Sequence, residues 1–283
     1  MTVTEAELSG LAASHDIISL GMRADDVRRR LHDNRTTFLR VADVPAEPGA
    51  AVEVPHGAGE IRIVGTPATR LQALARVSEV VAASRGIPVS AFSLADLEQL
   101  SVRERVTLRA LLEDCCAAGL ELVAEAPFER LQDPRRSIEE VNIAGLSLAR
   151  LTIEQLPELD AVTLLKQIAA LQLTVGVIRS FAPLPRRVNP AMPSTGFDDV
   201  KRVALARVIV ETIPSIQVDW AMYGPKLAQV ALTMGADDVD GVSAEDDASQ
   251  GRRRAPLEEV RRNIRAAGCE PIERNGRYEL TAR

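Results

Sequence analysis

The sequence is poor in cysteine and contains no long apolar segment. Its three cysteines, Cys115, Cys116 and Cys269, form neither a disulfide framework nor a zinc-binding pattern, so we expect packed, reduced thiols. No stretch approaches the roughly 18 apolar residues that a membrane helix requires. The N-terminus, Met1 to Glu7, carries acidic side chains where a signal peptide would be basic. These absences predict a cytoplasmic protein that does not enter a membrane.

Positively charged residues are also fewer than negatively charged ones. The 34 lysines and arginines are outnumbered by 40 aspartates and glutamates, so the formal net charge is -6 and the sequence pI is about 5.3. A nucleic-acid-binding protein would normally show a basic face, and only the run Arg252–Arg254 offers one. Because this run precedes a predicted helix that begins at Pro256, we interpret it as a solvated loop. We therefore expect no nucleic-acid partner.

Familiar ligand motifs are missing as well. His15, His32 and His56 are isolated, so they predict neither a pair of metal ligands nor a catalytic triad. No GxGxxG follows a predicted strand, which argues against a dinucleotide site. The residues Asp237, Asp238 and Asp240 flank an apolar strand without a known metal-ligand spacing, so no metal site is predicted.

The chain does contain an alternating pattern of strands and helices. A composition of 46% hydrophobic and 26% charged residues is typical of a globular protein with a full core. Strands are predicted at Thr36–Val44, Glu60–Val64, Ile87–Phe92, Leu120–Glu125, Leu146–Ile153, Leu173–Ile178, Ile216–Trp220 and Val239–Ser243. Amphipathic stretches of helical length lie between most of them, at Leu71–Ser84, Arg103–Ala118, Leu156–Leu171, Val200–Thr212 and Lys226–Met234. Because such alternation demands parallel strands and right-handed crossovers, we predict an α/β fold, a (βα)8 TIM-type barrel.

The segments that flank the barrel are predicted too. We expect one domain, with N-terminal helices at 1–35, the barrel at 36–245, and a C-terminal helix and β-hairpin at 256–283. Gly268 ends the C-terminal helix, and the pair Asn275 and Gly276 is the best two-residue hairpin signal in the chain. The loop Asp43–Gly59 follows the first strand, so in a barrel it faces the active-site end.

One segment carries a specific resemblance to known enzymes. The segment Phe181–Gly241 resembles the last barrel third of aminofutalosine synthase, cyclic dehypoxanthine futalosine synthase and the deazaflavin-cofactor synthase. The shared stretches are Asn189–Pro190, Ser194–Asp199, Gly224–Gln229 and Gly235–Gly241. Asp16–His32 and Ile61–Gly65 are similar to the same family more loosely. The chain thus resembles the radical S-adenosylmethionine enzymes of futalosine-dependent menaquinone biosynthesis.

That resemblance implies a cofactor that this sequence does not support. In the family, a CxxxCxxC motif just after the first strand holds a 4Fe-4S cluster, whose fourth iron binds S-adenosylmethionine. Here Val44–Gly59 contains no cysteine. Cys115 and Cys116 lie on a predicted helix well downstream and, as neighbours, point apart by about 100°, so they cannot substitute. We therefore expect neither the cluster nor S-adenosylmethionine, and no radical chemistry.

Two further departures from the family concern its glycines. Gly65 is followed by Thr66 and Pro67 rather than by a second glycine. The run Glu125–Glu129 stands where the family has glycines before an acidic residue, so bulky side chains occupy space that the glycines left open. In that run, Glu129 matches the family's acid.

Candidate binding residues follow from the barrel geometry and the resemblance. Pocket residues in a barrel come from the carboxyl ends of strands, here Asp43, Thr66, Ser93, Glu125, Arg179, Ser180, Asp219, Tyr223 and Asp240. Arg179 suits a substrate carboxylate, with a structural salt bridge as an equal alternative. Asn189 matches the family's asparagine, although asparagine before proline is also a common turn. The predicted substrate-binding set is Arg179, Asn189, Asp219, Tyr223 and Glu129, and no catalytic residue is assigned.

Two functions remain open from the sequence. The first is an accessory, non-catalytic protein that binds a small anionic metabolite, forms a homo-oligomer, or acts beside a menaquinone-pathway enzyme. The helix Val200–Thr212 or the terminal hairpin would offer the partner surface. The alternative is a hydrolase or lyase that acts on a futalosine-like nucleoside through Glu125, Glu129, Arg179 or Asp219. A plugged barrel mouth would favour the first function, and paired carboxylates with perturbed acidity would favour the second.

Overall fold

Strand and helix alternate along the chain as the sequence predicts. The computed structural model describes residues 10, 12–157, 160–187, 194–245 and 256–281. The strands are β1 Arg35–Pro45, β2 Glu60–Val64, β3 Val89–Ser93, β4 Leu122–Pro127, β5 Ser147–Leu148, β6 Leu151–Ile153, β7 Ser180–Pro185, β8 Ser215–Asp219, β9 Asp238–Ser243 and β10 Glu270–Arg274. The helices are α1 Ile17–His32, α2 Arg70–Ala83, α3 Leu94–Arg103, α4 Leu108–Ala117, α5 Pro134–Ile143, α6 Ala161–Val175, α7 Gly196–Ile209, α8 Trp220–Thr233 and α9 Pro256–Ala266.

Parallel strands close into a barrel, which confirms the predicted TIM-type (βα)8 fold. Its strand order is β1-β2-β3-β4-β6-β7-β8-β9, and β9 pairs back onto β1. The fifth barrel position is split, because β5 pairs with the first half of β4 and β6 with its end. Arg150 lies at this break, and its side chain is buried at 4% exposure. The strand predicted at Leu146–Ile153 is therefore interrupted where a charged side chain enters the barrel.

The predicted strand Leu173–Ile178 is wrong. Helix α6 continues to Val175 and ends at Gly176, whose φ of 66° gives the left-handed turn that closes many helices. The sixth barrel strand, β7, starts two residues after the predicted strand ends, at Ser180. Leu173 is 76% exposed, so part of the apolar run that suggested a strand is the outer face of a helix. Residues near position 179, predicted at the carboxyl end of a strand, therefore lie at the opposite end of the barrel.

Two further helix predictions change. The predicted helix Arg103–Ala118 is the end of α3 and all of α4, separated at Glu104–Thr107, where Thr107 caps α4 through the backbone N–H of Ala110 (3.1 Å). The helix predicted at Val200–Thr212 is α7, and α1 packs on it. Lys201 of α7 donates to the backbone carbonyls of Ala12 and Ser14, at 2.6 and 2.8 Å, and so joins α7 to the residues that precede α1. Most of α7 is buried, so it cannot offer the partner surface suggested from the sequence.

The C-terminal segment closes the base of the barrel. Strand β10 adds in parallel to the amino-terminal half of β1 (Arg35 with Glu270, Leu39 with Arg274). An antiparallel bridge between Arg274 and Leu280 confirms the predicted hairpin in a short form. Its turn is wider than the two residues predicted, because the Asn275 N–H donates to the Glu279 carbonyl at 2.9 Å. No described helix is long and apolar enough to cross a membrane.

Candidate functional site

A cavity of about 370 Å³ opens at the carboxyl ends of the barrel strands. It is lined by Asp43, Arg62, Ile63, Val64, Gly65, Thr66, Phe92, Ser93, Asp96, Ala124, Glu125, Arg130, Arg150, Glu154, Arg186, Arg187, Asp219 and Met222. Five residues nominated from the sequence lie together here, namely Asp43, Thr66, Ser93, Glu125 and Asp219. Barrel enzymes place their sites at this end. The mouth of the barrel is thus open and polar rather than plugged.

Asp240 is the centre of the charged network beneath the cavity. Its carboxylate accepts hydrogen bonds from Arg62, at 2.9 and 3.2 Å, and from Arg150, at 2.7 Å. All three side chains are at most 8% exposed. Burial alone would raise the pKa of Asp240, but the positive charges of Arg150 and Arg62 outweigh it and hold this pKa well below its usual range. Glu60 also belongs to this network, because it accepts a hydrogen bond from Nε of Arg62 at 2.9 Å.

Arg186 bridges two further carboxylates at the wall of the cavity. It donates to Glu125 at 2.6 Å and to Asp219 at 3.0 Å. Burial opposes ionisation of Glu125, yet the charges of Arg186 and Arg150 prevail and lower its pKa. Glu125 is therefore an ionised acceptor near neutral pH and a poor proton donor. Asp219 also caps α8 by accepting from the backbone N–H of Met222 at 2.9 Å.

Because its pKa is lowered, Glu125 should make the stability of the protein depend on pH. A carboxyl group whose folded pKa lies below its unfolded value adds stability above the unfolded pKa, and that stability is lost as the pH falls through the folded pKa. The difference in unfolding free energy between the wild type and Glu125→Gln should therefore be largest at pH 7 and shrink below about pH 4. Urea unfolding between pH 7 and pH 3 measures it. The exposed Glu53→Gln is the control, and a Glu125→Gln difference that grows on acidification would contradict the prediction.

The rim of the cavity is held by a second set of ion pairs. Asp96 accepts from Thr66 at 2.7 Å and from Arg130 at 3.0 Å. Glu154 binds both Arg130 and Arg187. Each arginine that lines the cavity is therefore already bound to at least one carboxylate.

The sequence-predicted binding set is only partly brought together. Asp219 lines the cavity, but Glu129 accepts the backbone N–H groups of Glu154 and Gln155, both at 2.7 Å, and anchors a loop instead. Tyr223 donates its hydroxyl to the backbone carbonyl of Pro185. Asn189 lies outside the described residues.

Arg179 and Ser180 lie at the base of the barrel, away from the cavity, because β7 begins at Ser180. Arg179 donates to the Arg277 carbonyl at 2.7 Å, and its guanidinium lies 5.8 Å from the centre of the Tyr278 ring. The Tyr278 hydroxyl donates a hydrogen bond to Oγ of Ser180 at 2.6 Å. Their placement at the carboxyl end of a strand was wrong, and the structure does not bring Arg179 together with Asp219.

Sequence reasoning missed Arg62, Arg150 and Arg186. A signal existed for Arg62, since it interrupts the apolar strand Glu60–Val64 at a position that faces the barrel interior together with Glu60. Arg186 directly follows the true strand β7, and its role was hidden by the misplaced strand. Nothing local marked Arg150, which follows the two-residue β5.

Asp43 differs from the other carboxylates of the cavity. It lies near the carboxyl end of β1, beside Arg62 on β2, but within the described residues it has no hydrogen-bond or ion-pair partner. Partial burial raises its pKa, and the charge of Arg62 only partly offsets this. The Ser93 hydroxyl, on β3, is also buried without a partner among these residues.

The residues after β1 do not fit the cluster that the family resemblance implies. The loop at residues 46–59 contains no cysteine, and among the described residues no group of three or more His, Cys, Asp or Glu side chains could hold a metal ion. Cys115 is buried in α4, and burial raises its pKa to about 12, so it is an uncharged thiol at neutral pH. The fully buried Arg76 instead organises the start of the loop, donating to the carbonyls of Pro45 and Ala50 at 2.8 and 2.9 Å.

Comparison with known proteins relates this chain to a defined group of enzymes. Residues 184–283 match the sequence model of the CofH/MqnC C-terminal region. The aminodeoxyfutalosine synthase of Thermus thermophilus is 30% identical over 230 residues, which cover 68% of this chain and 60% of that enzyme. The aminodeoxyfutalosine synthase of Streptomyces coelicolor is 36% identical over 93 residues, 31% of this chain and 24% of that enzyme. The chain thus spans less than two thirds of the length of these relatives.

The fold comparison agrees with the barrel topology. The crystal structure of methylornithine synthase superimposes with a TM-score of 0.68 and covers 96% of this chain and 94% of its own, at 13% sequence identity. At that identity the likeness concerns the fold alone.

Proposed function

We propose that this chain, which is similar to aminodeoxyfutalosine synthases and to the CofH/MqnC C-terminal region, is a homologue of the radical S-adenosylmethionine enzymes of futalosine-dependent menaquinone biosynthesis and serves this pathway as an accessory, non-catalytic protein. It binds a polar metabolite of about nucleoside size at the carboxyl end of its barrel. The observation that carries the proposal is the open cavity of about 370 Å³, whose arginines are all paired with carboxylates and whose neighbouring loop has no cysteine. This volume is near the lower end, about 300 Å³, of ligand pockets.

The barrel mouth is open, although a plugged mouth was the arrangement expected for an accessory protein, so it is the acidity of the carboxylates that argues against the alternative, a hydrolase or lyase. General acid–base catalysis works best with a group whose pKa lies near the working pH. Arg186 and Arg150 lower the pKa of Glu125, Glu129 binds backbone N–H groups, and Arg179 lies at the other end of the barrel. Asp219, the remaining candidate from the sequence, accepts from Arg186 and from the backbone N–H of Met222, so Asp43, whose pKa is raised, is the carboxyl group of the cavity best suited to act as an acid.

The ligand expected from the sequence changes, whereas the expected partner remains a prediction. The expected anionic ligand depended on Arg179, and the arginines of the cavity are already engaged by carboxylates, so we retain a polar ligand without assigning it a negative charge. Association with a second copy or with a pathway enzyme stays a prediction.

The test combines cluster reconstitution with ligand binding. Protein purified without oxygen and treated with iron and sulfide should hold no stoichiometric cluster and should not cleave S-adenosylmethionine, because the loop after β1 offers no thiolate. Calorimetry should detect binding of a simple nucleoside, adenosine, to the same preparation. A family enzyme with an intact CxxxCxxC motif, treated in parallel, is the control. About four irons per chain, or hydrolysis of the nucleoside, would contradict the proposal.

A further inference from the structure

Negative charge exceeds positive charge around the cavity. Five arginines and five carboxylates line it. Two further carboxylates, Glu60 and Asp240, lie directly behind Arg62 and bind it. The acids of this cluster therefore outnumber the arginines by two. A phosphate or carboxylate on a ligand would meet a negative field and would have to displace a protein carboxylate from its arginine.

Asp43 is the carboxylate that is left for a ligand. The three guanidinium nitrogens of its neighbour Arg62 already donate to Glu60 and Asp240. Asp43 is exposed toward the cavity, and its oxygens have no partner within the described residues. An ionised or neutral carboxyl group in such a position can accept a hydrogen bond from a ligand without breaking one inside the protein.

A second observation supports a polar contact in the same cavity. The Ser93 hydroxyl on β3 and Nε of Arg150, whose side chain is 4% exposed, are buried and lack hydrogen-bond partners among the described residues. Both residues line the cavity with Asp43. Buried polar atoms are nearly always satisfied in native proteins, so unpaired atoms of this kind suit a partner that the described residues do not supply.

We propose that Asp43, with Ser93 beside the same cavity, forms a subsite for a hydrogen-bond-donating group of the ligand, an amine or a hydroxyl, and that the cavity rejects phosphate and carboxylate groups. The inference rests on the proposed function, since it specifies the chemistry of the ligand that the cavity binds. Asp43 acts by accepting a hydrogen bond, so an amine that carries a positive charge gains most from it.

Two nucleosides of equal size and one nucleotide, which is larger by its phosphate group, test the inference. Adenosine, 5′-amino-5′-deoxyadenosine and adenosine 5′-monophosphate share the base and the ribose and differ in charge at one position. Calorimetry on the wild type should rank the amine tightest and the phosphate weakest. In Asp43→Asn the affinity for the amine should fall at least about tenfold, equal to about 1.4 kcal/mol, while the affinity for the phosphate should not fall. Asp26→Asn, which removes the same charge from the exposed face of α1, should leave all three affinities unchanged.

The outcomes separate the two proposals. Wild-type protein that binds the phosphate as tightly as the amine, or folded Asp43→Asn that binds the amine as tightly as the wild type, would overturn the donor subsite and leave the proposed function standing. Wild-type protein that binds none of the three would overturn the proposed function itself. Asp43→Ser is a second variant, and urea unfolding of both variants establishes that a lost affinity does not reflect a lost fold.

Discussion

Asp240→Asn is expected to lower the free energy of unfolding by about 3–5 kcal/mol, because it leaves two buried arginines facing each other without a full counter-charge. Asp240 is 1% exposed, and it accepts hydrogen bonds from Arg62 and Arg150. Removing one partner of a buried ion pair costs far more than the pair contributes, since the remaining charge keeps its desolvation penalty. Urea denaturation at pH 7 measures the loss.

A second substitution shows whether charge is the cause. In Asp240→Asn combined with Arg150→Met, one of the two arginines that lost Asp240 as a partner is gone, so the double variant should be more stable than Asp240→Asn alone. The exposed Asp26→Asn should change stability by no more than about 0.5 kcal/mol. A loss below about 1 kcal/mol for Asp240→Asn would mean that water reaches Arg62 and Arg150 in the folded protein.

Arg274→Met is expected to have a loss of similar size, about 3–5 kcal/mol, at the opposite end of the barrel. Arg274 donates to both oxygens of Asp238, at 2.7 and 2.6 Å, and the Asp238 side chain is fully buried. The Arg274 guanidinium also lies 4.0 Å from the centre of the Tyr278 ring, so the substitution removes a cation–π contact as well. The unfolding free energy at pH 7 is again the measurement.

A second substitution, at Asp238, should restore part of the stability that Arg274→Met loses. Asp238→Asn combined with Arg274→Met should regain part of the stability, because a neutral amide then replaces the buried carboxylate and its oxygen can still accept from Gln217. Arg35→Met is the matched control, since Arg35 is 54% exposed and 3.8 Å from the exposed Asp33, and it should cost no more than about 1 kcal/mol. If the double variant were no more stable than Arg274→Met, packing of Arg274 rather than its charge would be what matters.

The barrel could be predicted because its signals are local. Strand β2 agrees with the predicted Glu60–Val64 at both ends, and α2 agrees with the predicted Leu71–Ser84 to within one residue at each end. Alternation of apolar and polar residues depends only on near neighbours, and the rule for right-handed crossovers then leaves few topologies. The boundary between α6 and β7 failed because the apolar run around Leu173 is compatible with either structure, and only packing on the barrel decides between them.

The candidate site divides in the same way. From the sequence alone it follows that the loop after β1 has no cysteine ligands and that Asp43, Thr66, Ser93, Glu125 and Asp219 follow or end strands, because composition and element order determine both points. Only the tertiary structure decides that Asp240 binds Arg62 and Arg150, which are separated from it by 178 and 90 residues along the chain. Whether a buried group is stable in its charged form depends on the charges around it in space. Closure of the barrel brings the side chains of distant strands within hydrogen-bonding distance. The same closure leaves Asp43 without a hydrogen-bond or ion-pair partner among the described residues, a fact about spatial neighbours that no local pattern contains.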